Sequence, residues 1–246
     1  MKKIIYFMIL AATLVSLFYI SNYKNQTVNS PSNPVLPGTK SAPSLAPSPT
    51  PSPIGIGPIH QNIKATVFWV GEEAGEDNDF ITNEISFWDK AWQQSYGGVD
   101  DPDRREGYFP KGFVPSENPF YFALPYADYD SARNLKVSVQ KIPWFSQMPQ
   151  NGQSIIKNRW IMIGYKDKVC FAQWEDVGPG QRNDFDYVFG KDEPQNDFTG
   201  IDLSPAMRDC LEMGDRAKVT WQFIDEKNVP PGPWKQIITV SSPNRE

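Results

Sequence analysis

The chain has 246 residues and a net charge of −5, and it contains one histidine and two cysteines. The acidic balance excludes a protein whose main partner is nucleic acid, because phosphate binding needs concentrated Lys and Arg. The single histidine, His60, argues against Ser-His-Asp or Cys-His nucleophile systems and against His-rich zinc sites, so we expect no metal and no cofactor.

The first 22 residues have the composition of an export segment. Lys2 and Lys3 precede an apolar run from Ile4 to Ile20, and no small-x-small cleavage site follows it. We therefore predict a signal anchor over residues 1–22, with a cleaved signal peptide as the alternative. The positive-inside rule then places the rest of the chain outside the cytoplasm, anchored to the cytoplasmic membrane, or secreted if the segment is cleaved.

Residues 23–62 are rich in proline and serine. Such a segment cannot bury enough apolar surface to offset the entropy lost on ordering, and its prolines keep it extended. We predict a disordered linker that acts as a stalk, with His60 at its end.

Residues 63–246 have the size of one domain and the pattern of a mainly β protein. Apolar spacing of three to four predicts helices at Phe87–Tyr96 and Pro205–Met213, the second capped by Ser204. Many strands and few helices indicate a small barrel. The runs that predict strands are Ile63–Val70, Pro119–Leu124, Leu135–Val139, Trp160–Gly164, Val169–Trp174, Ala217–Phe223 and Trp234–Val240.

Short segments of this domain carry a resemblance to a known family. They are Ala65–Trp69, the Asp-x-Gly-Pro turn within Trp174–Pro179, the Ile-Asp-Leu-Ser run within Gly200–Ala206, and Ala123–Tyr126. Together they resemble the double-psi β-barrel family of rare lipoprotein A-like and expansin-like proteins, which includes barwin-like endoglucanases. The resemblance implies a mainly β fold, a six-stranded double-psi β-barrel with short helices and a loop or helix insertion.

The resemblance also implies one shallow groove that contains two acids. Asp176 ends a strand at a Gly-Pro turn, and Asp202 precedes a helix N-terminus that favours a carboxylate, so both are candidate catalytic residues. Trp174 has the same strand parity as Asp176, which predicts that ring and carboxylate face one side. The candidate substrate-binding residues are Trp69, Tyr121, Tyr126, Trp174 and Glu175.

These residues also have structural interpretations. Asp202 can cap the helix, and Asp176 can accept backbone hydrogen bonds within its turn. Trp69 and Trp174 can belong to the core, since large aromatic rings dominate burial. The acidic run Glu72–Asp79 is interpreted as a solvated face.

Cys170 and Cys210 both lie in the part of the chain predicted to be exported. An oxidising compartment would permit a disulfide between them, and two separate buried thiols are the alternative.

The departures from the family favour binding over turnover. The Asn118–Pro125 stretch lacks the family's histidine, Val177 replaces an arginine, and Val70 stands where endoglucanases have an acid. We therefore predict a cell-wall glycan-binding protein, with peptidoglycan or another polysaccharide as its partner. The first alternative is a lytic transglycosylase or glycan hydrolase with Asp176 as general acid. The second is a structural envelope component that binds a protein partner.

Overall fold

The computed structural model describes residues 54–78, 80–149 and 152–241. The predicted anchor (1–22) and most of the predicted linker lie outside these ranges. In the described part of the chain, no helix has both the length and the apolar character needed to cross a membrane.

Six of the strands close into a barrel in the order β1-β7-β4-β6-β5-β8. The β1/β7 and β4/β6 pairs are parallel, and the remaining neighbours are antiparallel. The mainly β prediction with a closed six-stranded barrel and few short helices is confirmed. The strands are β1 (Gly55–Val67), β2 (Arg105–Glu106), β3 (Phe109–Pro110), β4 (Tyr121–Leu124), β5 (Trp160–Tyr165), β6 (Lys168–Val177), β7 (Ile201–Leu203) and β8 (Arg216–Ile224), and the helices are α1 (Trp92–Tyr96), α2 (Phe185–Val188) and α3 (Pro205–Leu211).

The first strand begins at Gly55, eight residues before its predicted start, so the end of the predicted linker is part of the barrel. Register shifts on either side of His60, with positive φ at Gly57 and Asn62, interrupt the alternation that sequence reading depends on. His60 is buried and stacks on Trp221 with ring centroids 3.9 Å apart. Burial lowers the pKa of His60 to about 4, so the ring is neutral near pH 7.

Two predicted strands are wrong. The segments predicted as Leu135–Val139 and Trp234–Val240 contain 3₁₀ turns at Val137–Lys141 and Pro233–Lys235 instead. A closed barrel has no free edge that could accept further strands, so these runs pack as loops over it. Strand β7, only three residues long, carries too little alternation to be predicted.

The barrel interior is filled by aromatic rings. Trp174 is fully buried and stacks between Phe122 and Phe223, with centroid distances of 5.7 and 5.8 Å. A second, smaller cluster lies outside the barrel wall, where Phe68, Trp92 and Tyr96 from the 68–118 insertion cover β4. We call residues 68–118 the cap.

Helix α3 follows the predicted design closely. The Ser204 hydroxyl accepts a hydrogen bond from the Met207 amide, and Pro205 occupies the first turn. Cys210 of this helix forms a disulfide with Cys170 of β6. The bond attaches the helix to the barrel wall.

We expect the double variant Cys170→Ser/Cys210→Ser to lose about 3 to 4 kcal/mol of unfolding free energy, because a cross-link spanning 40 residues restricts the unfolded chain. Urea denaturation of both proteins, with and without reductant, measures the difference. Reductant should lower the stability of the parent alone. Equal stability of parent and variant without reductant would contradict a stabilising role for the bond.

Candidate functional site

Asp176 and Asp202 lie on either side of one small residue. Strand β4 runs between β6 and β7, and Ala123 of β4 is the register partner of Asp176 on one side and of Asp202 on the other. Their Cα atoms are therefore two strand spacings apart, about 10 Å. Residues directly opposite one another project from the same face of a sheet, so both carboxylates share a face with Ala123.

That face is the outside of the barrel. Phe122 and Leu124 belong to the barrel core, whereas Tyr121 and Ala123 belong to the outer cluster under the cap. The side chains of Asp176 and Asp202 are partly exposed there. We call these two residues the acid pair.

Trp174 does not face the acid pair, so the prediction that it shares a side with Asp176 is wrong. Phe122 pairs with Trp174 and the next residue, Ala123, pairs with Asp176, so Glu175 is the extra residue of a β-bulge. A bulge offsets the alternation by one residue, which turns the ring of Trp174 into the core while Asp176 faces outward. The Trp174 indole N–H donates to the Asp176 carbonyl oxygen at 2.7 Å, and its buried ring is not available to a ligand.

Asp176 is held by the cap. The Phe87 amide donates to its Oδ1 at 2.7 Å. Burial raises the pKa of Asp176 to about 6, although the hydrogen bonds from Phe87 and Val177 and the nearby charge of Arg182 oppose the rise. A large share of this carboxyl is protonated at mildly acidic pH.

Asp202 is held by β1. The Thr66 hydroxyl donates to its Oδ1, and Thr66 is also its register partner on the parallel strand. Burial raises the pKa of Asp202 to about 7, and the negative charges of Asp176 and Glu72 add to the rise while Thr66 opposes it. The helix cap is Ser204, so the interpretation of Asp202 as the cap of α3 is wrong.

Glu72 is a third acid near the acid pair, and its interpretation as part of a solvated face is wrong. It is buried, and the Asn83 side-chain amide donates to its Oε2 at 2.7 Å. Burial raises its pKa, and its charge acts on Asp202. The partner lies eleven residues away across a loop, a contact with no signature in the sequence. In the described ranges, no group of three or more acidic, histidine or cysteine side chains is arranged to hold a metal ion.

Two further candidate residues, Tyr121 and Tyr126, are buried, which corrects their assignment to substrate binding. Tyr121 is buried, and its hydroxyl bonds to Asp100 Oδ2 and to the Val70 amide, both at 3.0 Å. Tyr126 is buried with its hydroxyl 2.9 Å from that of Ser138. Large rings carry most of the burial in a domain of this size, and these two are used for it.

Glu175 is also buried, where it forms an ion pair with Lys157 at 2.5 Å. Burial raises its pKa to about 7, and the charge of Lys157 opposes the rise. Trp69 is the one candidate aromatic residue that remains partly exposed. Its carbonyl accepts the Glu72 amide, so Trp69 belongs to the turn that follows β1 and carries Glu72.

Comparison with known proteins gives little beyond the fold described above. No protein-family model matches the chain, and no curated protein matches it. Among solved structures, the chain is similar to the Streptomyces papain inhibitor (SPI) at 14% sequence identity, covering 69% of this chain and 97% of that one with a TM-score of 0.30. The assignment of a closed barrel therefore rests on the strand pairing itself.

We expect Asp202→Asn to stabilise the protein at pH 8. The folded-state pKa of about 7 lies above the ordinary value of 3.8, so the folded protein holds this proton more tightly and loses stability as the pH rises through 7. An amide cannot ionise, which should give a gain of about 1 to 2 kcal/mol at pH 8, reduced from the full shift because the group is partly exposed. The gain should disappear near pH 4.

Urea denaturation at both pH values measures this difference, and Asp103→Asn, in an exposed stretch of the cap, is the matched control. A loss of stability at both pH values would contradict this prediction, because it would mean that the Asp202 side chain stabilises the fold.

Proposed function

We propose that this protein is an extracytoplasmic cell-wall glycan-binding protein, held at the cytoplasmic membrane by its N-terminal segment, with the acid pair at the centre of its binding surface. The single observation that carries the proposal is the placement of Asp176 and Asp202 on either side of the buried Ala123, on the outer face of the barrel, where both acids keep partial exposure. Two acceptors at one level of a wall suit the hydroxyl groups of a sugar chain.

The surroundings of the acid pair support a glycan as the ligand. The small side chain of Ala123 leaves the two carboxylates partly exposed on either side of it, and Trp69, two residues beyond the end of β1, has a partly exposed ring. An aromatic face next to polar acceptors binds the apolar and hydroxyl faces of a sugar together. The partly exposed Thr66 and Asp202, which pair across β1 and β7, would bind the neighbouring sugar unit.

The strand order supports the rare lipoprotein A-like, double-psi assignment. The barrel is mixed, and each of its two parallel pairs joins strands far apart in the sequence, β1 with β7 and β4 with β6. Each parallel pair contains one member of the acid pair, so the proposed binding surface lies where the two parallel pairs meet at β4 and β7.

Glycan cleavage is the second candidate, and the raised pKa values of the acid pair favour it. With a pKa of about 6, Asp176 can hold a proton near neutral pH and give it to a glycosidic oxygen as the C–O bond breaks. A hydroxyl of the sugar itself would then attack the anomeric carbon, as in a lytic transglycosylase. In a hydrolase, Asp202 would activate the attacking water instead.

Incubation of the full-length protein, in detergent, with purified peptidoglycan sacculi tests the binding proposal. We expect Trp69→Ala to weaken pelleting with sacculi by about fivefold to tenfold, because a ring that stacks on sugar contributes about 1 kcal/mol. Tyr165→Ala is the matched control, since Tyr165 is a partly exposed aromatic residue at the end of β5, where it pairs with Lys168 at the end of β6 remote from Asp176. Equal pelleting of Trp69→Ala and the parent would overturn the proposed surface.

The same incubation separates binding from cleavage when released fragments are measured by chromatography. Asp176→Asn keeps the shape of the side chain but cannot deliver a proton, so a catalytic protein would lose fragment release while still pelleting. If the parent releases nothing, binding without turnover is supported. If the parent neither pellets nor releases fragments, the protein-partner alternative takes its place.

A further inference from the structure

A second concave site lies on the other side of β6 from the acid pair. It is a cleft of about 450 Å³ at the end of the barrel where β5 begins, β8 ends and β1 begins. We call it the β5–β8 cleft. The lining residues that matter for its chemistry are Trp144, Lys157, Arg159, Trp160, Asp225 and Glu226.

One wall of the cleft is cationic and already positioned. The Arg159 guanidinium stacks over the Trp144 ring at 5.1 Å, its Nε donates to the Ile155 carbonyl at 3.1 Å, and its Nη1 donates to the Gln147 side chain at 2.8 Å. Among the described residues, these bonds use two of the five guanidinium donors. The rest can bind a carboxylate.

The opposite wall is acidic. Asp225 and Glu226 follow β8, and their charges oppose the lowering of the Arg159 pKa that burial causes, so both stand within electrostatic range of the guanidinium. The Asp225 carboxylate accepts the Lys227 amide and pairs with its ammonium group. For the exposed Glu226 carboxylate, no such partner is found in the part of the chain that the structure describes.

Between the walls the cleft is lined by aromatic rings and polar side chains. Trp160 is buried in its wall, and within the described residues its indole N–H has no acceptor. Amide and hydroxyl side chains of Gln147, Gln153, Ser154 and Asn158 complete the lining. Such a surface fits a ligand with peptide bonds and with both a carboxylate and an ammonium group.

We propose that the β5–β8 cleft binds a short zwitterionic peptide of this kind, as carried on the glycan strands of peptidoglycan. The inference rests on the proposed function and narrows it, since cellulose-like or chitin-like polymers carry no such peptide. The carboxylate of the peptide binds at Arg159 and its ammonium group at Glu226.

The cleft and the acid pair are joined through β6. Lys157 lines the cleft and pairs with Glu175, the bulge residue that directly precedes Asp176. The Asn158 amide donates to the Trp174 carbonyl at 2.9 Å, which keeps this edge of the cleft against the same strand. The two sites are therefore attached to the same strand.

Isothermal titration calorimetry of the full-length protein in detergent, with the free tetrapeptide Ala-γ-Glu-Lys-Ala as probe, tests the inference. We expect Glu226→Gln to raise Kd by about fivefold to tenfold, the effect of losing one charge-assisted contact. Acetylation of the peptide's amino groups should produce a similar loss in the parent. Arg159→Lys keeps the charge but not the planar fork, and its melting temperature shows whether it folds.

Two controls keep this result separate from that of the acid pair. Arg104→Gln removes an exposed cation of the cap, and Asp176→Asn changes the acid pair, and both should leave the Kd of the tetrapeptide unchanged. If the parent pellets with sacculi but does not bind the tetrapeptide, or binds it equally after Glu226→Gln, the inference is overturned and the proposed glycan surface stands. If the tetrapeptide binds but sugar oligomers without peptide do not, the cleft is supported and the acid-pair assignment fails.

Discussion

Strand β4 is the element on which the rest of the structure depends. It has only four residues, all of them buried, and it pairs with β6 on one side and β7 on the other. Its inward residues, Phe122 and Leu124, enter the barrel core, and its outward residues, Tyr121 and Ala123, enter the cluster beneath the cap. A strand covered on both faces must be apolar throughout, and this one carries the small residue that leaves room between two acids.

The acid pair is maintained against a real electrostatic cost. Burial raises the pKa values of both carboxyls, and the charge of Asp176 raises the pKa of Asp202 further. The Phe87 and Val177 amides support Asp176, and the Thr66 and Thr199 hydroxyls support Asp202. Structural acids are normally surrounded by donors or cations, as Asp100 is by Arg105 and Tyr121. Among the described residues, neither member of the acid pair has an ion-pair partner such as Arg105, which supports the binding role proposed for the pair.

Sequence patterns predicted the parts of this fold that are locally regular. Strands β5, β6 and β8 and the capped helix α3 follow from alternation and from the Ser-Pro start of the helix. The start of β1 did not follow, because bulges near His60 break its alternation.

The candidate site was predictable to a similar degree. Family resemblance indicated Asp176 and Asp202, but the faces that their neighbours occupy depend on pairing between distant strands. One bulge residue, Glu175, was enough to move Trp174 from the expected groove into the core. Glu72 was missed because its burial depends on Asn83 across a loop.

The hydrogen bond from the Phe87 amide to Asp176 also couples the cap to the protonation state of this carboxyl. Phe87 lies in the part of the cap that carries exposed Phe80, Ile81 and Ile85, and its ring also packs beside Tyr129 at a centroid distance of 5.0 Å. A charged carboxylate accepts a hydrogen bond more strongly than a neutral one, so proton uptake by Asp176 weakens this one bond between the cap and the barrel. Linkage is reciprocal, so a contact that strengthens the bond between Phe87 and Asp176 lowers the pKa of Asp176. The hydrogen-exchange rate of the Phe87 amide then reports the protonation of Asp176.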